Sequence, residues 1–524
     1  MHYIKKINYS FVFALIVVLI SLLYNFQGML NKAPYSIHQW RQCDGMSITL
    51  NYYQEGMKFF QPSMHFQYSN QGKGIGEFPI IYYINAAIWK ITGQSNITAR
   101  LLNIFIAFMG LFALYKTVYL LLKDYFYSII IPLFVFSSTL YSYYLSGFLV
   151  NVDAISFIFI SWYFIAKYWK NKRILDLALF SLSVTIAGVL RSTVLLGMAP
   201  FLLIYALEFL GIIKAKLFDK KLASFIALLF PIIILAIWLK FAINYNEANN
   251  SVYFLTKLRP IWAADSIEIA RIFSSLYNNL LPELFHYSVE IFFSIILFLG
   301  FIFIGKQNKY LAIIWITILI ELIVYLLLWF LNLDVHDYYL LEIIILVPPL
   351  LLSVAIALKD KYIKLFDLLF LRYFIAFILL VSIAYTSFSL RAKYRGVGDK
   401  NIANYILNKK DIAYWNWYHW HYDNTFKAYE SITPYLRSIG INREDLVLSI
   451  KDQSPNISLY LMDQKGFSSL YQEDKSIKEQ IDFYIKRGIK YIIVNDASLM
   501  QGVELEEYKD NKIGEYKNIV IYKL

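Results

Sequence analysis

The sequence predicts a polytopic α-helical membrane protein of about eleven transmembrane helices, with a large first outer loop and a small C-terminal α/β domain. Three observations predict it. The 524 residues are 59% hydrophobic and only 16% charged, with a mean hydropathy of +0.50, whereas a soluble domain is nearer half apolar and a quarter charged. The charges are unevenly spread: 38 of the 134 residues in 391–524 are charged, against 48 of the 390 before them. Apolar runs long enough to cross a bilayer, about 20 residues, recur through the first 390 positions. Together these divide the chain into a membrane domain, 1–390, and an extracytoplasmic α/β domain, 391–524. Disorder, collagen and coiled coil are excluded for the bulk of the chain. Most of the net charge of +12 lies in the membrane part. There Lys and Arg serve to fix topology, so the basic balance implies a bilayer and no nucleic-acid partner. A lone cysteine, Cys43, excludes an intramolecular disulfide and a Cys-based metal site.

The elements follow in order. Lys5 and Lys6 precede an apolar run over 11–23 with no small-residue cleavage site, which reads as an uncleaved first helix. The expected spans are 8–28, 100–121, 126–146, 152–169, 175–190, 193–211, 222–243, 287–305, 311–332, 338–358 and 372–390. The apolar stretch 79–92 is too short to span and reads as an interfacial or re-entrant segment. With Lys5 and Lys6 inside, the inner connections carry Lys123; Lys170, Lys172 and Arg173; Lys214, Lys216, Lys220 and Lys221; Lys306 and Lys309; and Lys359, Lys361 and Lys364. The outer connections 147–151 and 333–337 carry no Lys or Arg. This alternation places the N-terminus inside. It places loops 30–79 and 244–286 and the C-terminal domain outside.

Loop 244–286 contains an amphipathic helix, opened by an Asp265–Glu268 capping box and striped by Ile269, Ile272, Phe273, Leu276 and Leu280. In the C-terminal domain, 445–450, 489–494 and 519–522 read as strands. Residues 476–487 read as a helix closed by Gly488. No phosphate-binding glycine loop and no repeat is found there.

Ionisable groups at or near membrane depth are costly and mark function by default. On the outer side they converge. Trp40, Arg41 and Asp44 can share one helical face. Gly72, Gly74 and Gly76 precede Glu77 and permit a close backbone approach. Asp153 opens the fourth span, Arg191 the sixth, and His336, Asp337, Tyr338 and Tyr339 the tenth. Each has a plain structural alternative: Arg41 can pair with Asp44, Asp153 and Asp337 can cap their helices, and His336 can be an ordinary interfacial histidine. A carboxylate can deprotonate an acceptor hydroxyl. Further carboxylates and a histidine can ligate a divalent cation that neutralises a phosphate leaving group. An arginine can fork onto a lipid-linked phosphate.

The run Trp40-Arg41-Gln42-Cys43-Asp44 resembles the acidic first-loop motif of the GT-C superfamily of integral-membrane glycosyltransferases. The stretch from Glu77 to Tyr83 with Gly93, Ala99, Arg100 and Leu101, the pair Asn151 and Asp153, and the His336–Tyr339 group with Pro348 match further motifs in the same order. The resemblance is closest to the bacterial relatives of protein O-mannosyltransferases and of the lipid A aminoarabinose transferase ArnT, and covers roughly residues 1–390. It implies a GT-C-like fold in the bacterial cytoplasmic membrane, with the site on the outer face. The implied activity is inverting transfer of a hexosyl or pentosyl unit from a polyprenyl-phosphate donor to an envelope glycan, lipid or protein. By the same resemblance, Asp44, Glu77 and Asp153 are the catalytic candidates. Trp40, Arg41, Arg191, His336, Asp337, Tyr338 and Tyr339 are the substrate contacts. Glu77, Asp153 and His336 could ligate Mg or Mn, and no organic cofactor is implied. Two departures stand out: Phe78-Pro79 replaces the usual tandem prolines, and Gly45 follows Asp44 where protein mannosyltransferases have glutamate. The rival readings are a lipid-linked sugar flippase or transporter, which should show internal repeats and mid-bilayer charges, and an O-antigen-type polymerase.

Overall fold

The first apolar run folds as the helix Tyr9–Leu23, capped by Asn8, whose side chain accepts from the amides of Ser10 and Phe11. The computed structural model describes residues 8–254, 258–398 and 401–524; Lys5 and Lys6 lie outside them. Among the described residues, six helices are long and apolar enough to cross a membrane: Asn96–Leu122, Ser192–Phe209, Lys221–Ala248, Lys309–Leu328, Asp337–Lys361 and Leu369–Arg395. Two bent pairs, Tyr125–Phe136 with Thr139–Leu145 (75°) and Ser266–Leu284 with Tyr287–Ile302 (97°), raise the number to eight if each is one span. Tyr9–Leu23 and Ile174–Leu190 are apolar but shorter. Each of the eleven expected segments lies on helix, but length and apolarity qualify six to eight. A hydropathy window passes over bends that shorten an axis. The chain is an integral membrane protein.

The first bend has a local cause. Ser138 accepts from the Tyr141 amide at 3.2 Å and so caps a new helix in the middle of an apolar run. Helix Asn96–Leu122 is apposed to Asn151–Asn171 at Gly110, where an added Cβ would sit 2.6 Å from the Ser156 Cβ. The expected amphipathic helix forms as Ser266–Ser275 with both halves of the Asp265–Glu268 capping box. Ile272 and Leu280 of its stripe are buried and Phe273 is exposed.

The chain divides into two compact units. One gathers the segments Met1–Leu30, Arg100–Leu239 and Lys257–Arg391 and holds most of the apolar helices. The other gathers Asn31–Ala99, Lys240–Thr256 and Ala392–Leu524. Its sheet has five strands: β1 Val447–Ile450, β2 Gly466–Ser468, β3 Tyr491–Val494, β4 Lys512–Tyr516 and β5 Ile519–Lys523, in the order β2-β1-β3-β5-β4. β1 runs parallel to β2 and β3; β5 is antiparallel to β3 and β4. β2 and β4 were not expected from the sequence. Helix Ile477–Ile485 is capped by Ser476 and Glu479 and buries Ile481 and Tyr484 against Leu448, Phe467 and Ile492. The turn beyond its Lys486 C-cap passes through Gly488, whose φ of +88° is the left-handed conformation glycine adopts freely.

The first loop joins this sheet. Phe66 bridges in parallel to Gly466 on β2. The Gln67 amide donates to the Gly466 carbonyl at 2.8 Å, and the Gly466 amide to the His65 carbonyl at 3.1 Å. A free strand edge is thereby covered. Polar side chains lock the same junction. Arg443 donates to Glu55 (2.6 Å), Asn51 (2.5 Å) and Asp463 (2.8 Å). His65 lies between Ser47 (2.7 Å) and Asp463 (3.0 Å).

Candidate functional site

Within the second unit, the helix Gln39–Glu55 sets Arg41 and Asp44 one turn apart. Arg41 Nη1 lies 3.5 Å from Asp44 Oδ2, and its Nη2 donates to Glu77 Oε2. One guanidinium thus bridges two of the three catalytic carboxylates proposed from the sequence, Asp44 and Glu77. Glu77 Oε1 accepts from the Tyr82 hydroxyl at 2.5 Å, supplied by the 13-residue helix Ile80–Thr92. Asp44 accepts from the Tyr253 hydroxyl at 2.6 Å and from Asn456 Nδ2 at 2.8 Å. Three distant stretches of chain therefore converge on one fully buried carboxyl.

Glycine is required where these pieces meet. A Cβ on Gly45 would sit 2.6 Å from the Tyr82 ring, and one on Gly76 3.1 Å from the Phe254 ring. Gly74 is closed in by Ser251. The close approach expected of the glycine run is thus made to these side chains. Phe254 also carries the Arg41 guanidinium, 5.4 Å from its ring centre. Trp40 is partly exposed.

The two carboxyls are pushed apart in acidity. Burial raises Asp44 above the ordinary aspartate range, although Arg41 and the hydrogen bonds from Tyr253 and Asn456 pull the other way. For Glu77 burial also opposes ionisation, but Arg41 and the Tyr82 hydroxyl outweigh it and hold the carboxyl below the ordinary glutamate range. Of the two, Glu77 is the carboxyl held toward its ionised form and Asp44 the one pushed toward its protonated form.

The first unit holds the other sequence-selected residues. Arg191 follows helix Ile174–Leu190 in extended conformation and donates through Nε to Glu342, which also accepts from the Thr193 hydroxyl. The Arg191 guanidinium lies 5.1 Å from the Tyr339 ring centre and 5.7 Å from that of Tyr338. His336 stacks on Tyr338 at 5.4 Å. Asp337 accepts from the Tyr144 hydroxyl. Neither acidic residue caps a helix through its side chain: the N-caps are Val150 and His336, without side-chain bonds. Asp153 is buried in the first turn of Asn151–Asn171, and neither of its oxygens has a hydrogen-bond partner among the described residues.

Arg41, Asp44 and Glu77 are thus brought together in one unit. Arg191, His336, Tyr338 and Tyr339, with Asp337 beside them in the chain, are brought together in the other. Among the described residues no group of three or more His, Cys, Asp or Glu side chains is placed to hold a metal ion. Glu77, one of the expected ligands, is already engaged by Arg41 and Tyr82. Sequence reasoning missed Tyr82, Tyr253, Asn456 and Glu342. Glu342 had a signal: it is the one acid inside the apolar run 338–358.

No family model matches the sequence, and no curated protein matches it. Solved structures do match in fold. ArnT from Cupriavidus metallidurans bound to undecaprenyl phosphate is similar with a TM-score of 0.56 at 10% identity, covering 97% of this chain and 97% of that one. The Archaeoglobus fulgidus oligosaccharyltransferase in its apo form has a TM-score of 0.51 at 13% identity, over 94% of this chain and 70% of that chain. The arabinofuranosyltransferase AftD from Mycobacteria has a TM-score of 0.50 at 12% identity, over 92% of this chain and 35% of that chain. The chain shares the fold of these structures.

Proposed function

We propose that the protein is an inverting glycosyltransferase that moves a monosaccharide from a polyprenyl-phosphate donor to a hydroxyl of an envelope glycan, lipid or protein. The proposed setting is the outer face of the bacterial cytoplasmic membrane, with the N-terminus cytoplasmic. One observation carries it: a buried aspartate of raised pKa, bridged by an arginine to a glutamate held ionised. That ArnT with this fold binds undecaprenyl phosphate supports the donor class. So do the apolar helices, which keep a polyprenyl tail in the bilayer while its phosphate stays at the headgroup level.

In this reading Asp44 takes the proton from the acceptor hydroxyl. The acceptor oxygen then forms its bond to the anomeric carbon from the face opposite the phosphate. The bond between that carbon and the phosphate oxygen breaks, and the electron pair leaves with polyprenyl phosphate. Glu77 keeps Arg41 aligned on the Asp44 side of the site. Within its own unit, Arg191, flanked by Tyr338, Tyr339 and His336, offers a cationic surface able to hold a phosphate. The proton on Asp44 returns to water as product leaves.

The test is transfer by purified full-length protein from undecaprenyl-phosphate monosaccharides. Asp44→Asn should lower the rate by roughly 10²-fold or more, the usual contribution of a general base, with the thermal unfolding midpoint unchanged. A folded Asp44→Asn protein with full transfer would refute the assignment. Transfer only from a diphosphate-linked glycan would point to a polymerase. Movement of lipid-linked sugar across liposomes without transfer would point to a flippase.

A further inference from the structure

The proposed base does not stand alone on its helix; part of its setting comes from the far end of the chain. Asn456 is fully buried and its amide is used at both ends. Its Oδ1 accepts from the Phe66 amide at 3.0 Å, and its Nδ2 donates to Asp44 Oδ1 at 2.8 Å. The first bond fixes which way the amide points, because an amide flip would set its NH2 against a backbone N–H and its oxygen against a carboxylate. Asn456 can therefore present only a donor to Asp44.

The turn that carries Asn456 is itself held rigidly. Asp452, buried at the end of β1, accepts from the amide and hydroxyl of Ser454 (2.8 and 2.6 Å) and from the amide and hydroxyl of Ser458 (2.8 and 2.6 Å). The Ser454 hydroxyl in turn accepts from the Ile457 amide at 2.9 Å. Five hydrogen bonds within seven residues thus fix the backbone on both sides of Asn456. Phe66, the other partner, is held by the bridge to β2. A donor fixed this firmly contributes direction as well as energy.

We propose that Asn456 is a positioning residue for transfer: it locks the Asp44 carboxylate in one rotamer and favours its ionised, proton-accepting form, which makes the C-terminal domain an integral part of the site. The inference rests on the reading of Asp44 as general base. The groups facing Asp44 are Arg41, Cys43, Glu77, Tyr82, Tyr253, Tyr471 and Asn456. Of its hydrogen-bond partners, Asn456 alone comes from the C-terminal domain. Tyr253 shares the load on Oδ2, leaving Oδ1 to Asn456. With the amide gone, burial acts on Oδ1 without relief, so the proton is held more tightly.

The experiment follows the protonation of Asp44 directly, in full-length protein in lipid nanodiscs. The probe is the infrared band of the protonated carboxyl that Asp44→Asn removes, recorded against pH. In Asn456→Ala its midpoint should rise by about one pH unit, the scale of one lost hydrogen bond to a charged group. In Asn456→Asp it should rise further, because a second carboxyl then faces the first while the acceptor for Phe66 is kept. The acid limb of kcat/KM should move with the band. An unmoved midpoint in either folded variant overturns the proposal. So does failure of both variants to fold, which would leave Asn456 a structural residue. If Asp44→Asn is fully active, the base reading fails whatever Asn456 does. If Asp44→Asn is inactive and the Asn456 variants titrate as the parent, the positioning proposal alone fails.

Discussion

Asp44 carries a consequence for pH. Only the ionised carboxylate can accept a proton, and burial lifts its pKa above the ordinary aspartate value. The rate of transfer should therefore fall on the acid side at a pH clearly above ~3.9, where an exposed aspartate titrates. A profile of kcat/KM against pH checks this; an acid limb at or below that value would show that burial does not govern the group. Arg41, Asp44 and Glu77 were all legible in the sequence, because ionisable groups in a long loop of a mostly apolar chain are conspicuous. Tyr253 and Asn456 were not. A tyrosine or an asparagine in a polar stretch carries no mark until tertiary structure shows what it meets. The polar alternation Asp452, Ser454, Asn456, Ser458 directly after a strand was the one available signal, since such runs build side-chain-to-backbone turns.

Two elements invite tests. The approach of Asn96–Leu122 to Asn151–Asn171 depends on Gly110, which leaves no room for a side chain against Ser156. Gly110→Leu should cost about 1–3 kcal/mol by overpacking, read as a lower unfolding midpoint in detergent. Gly211→Ala, at a site where a Cβ meets nothing but φ is positive, should cost only ~1 kcal/mol. Equal losses would show that the contact at Gly110 is not tight. The junction of the first loop with the C-terminal sheet is sensitive to acid. Burial lowers His65 below its ordinary value of 6.5, with Arg443 pushing the same way and Asp463 and Glu55 opposing. The folded state thus binds the proton less well than the unfolded chain. Its stability is complete above that value and declines as pH falls through it. The unfolding midpoint should drop between about pH 7 and about pH 5, and His65→Gln should flatten part of that drop. At this scale the sequence was readable where a local rule decides the outcome. Both capping boxes formed helix starts, though only that of Asp265 was foreseen, and β1, β3 and β5 follow from runs of β-branched residues. β2 is three residues long and β4 carries mixed polarity. Their existence depends on partners the local sequence does not specify.

For the whole molecule, the chain order and the folded order differ. Residues Asn31–Ala99 share a unit with Ala392–Leu524, across nearly 300 intervening positions that belong mostly to the other unit. A chain ended after Arg395 would keep every candidate span among the described residues but leave Glu55, His65 and Asp44 without Arg443, Asp463 and Asn456. Limited proteolysis of that truncation should cut within 31–99, and transfer should be lost; a protected first loop would refute the coupling. Hydropathy and the Lys and Arg alternation made the membrane character legible, because partition into a bilayer acts on each segment separately. Which loops assemble with which strands depends on contacts between segments far apart, and charge statistics carry no record of them. The separation also bears on how the protein is made. Asp44 leaves the ribosome early, and Asn456 follows it by 412 positions. While those 412 positions are added, the nascent chain bears the carboxyl without its amide partner. A stop codon placed before position 456, though past every candidate span, would leave Asp44 without that amide for good.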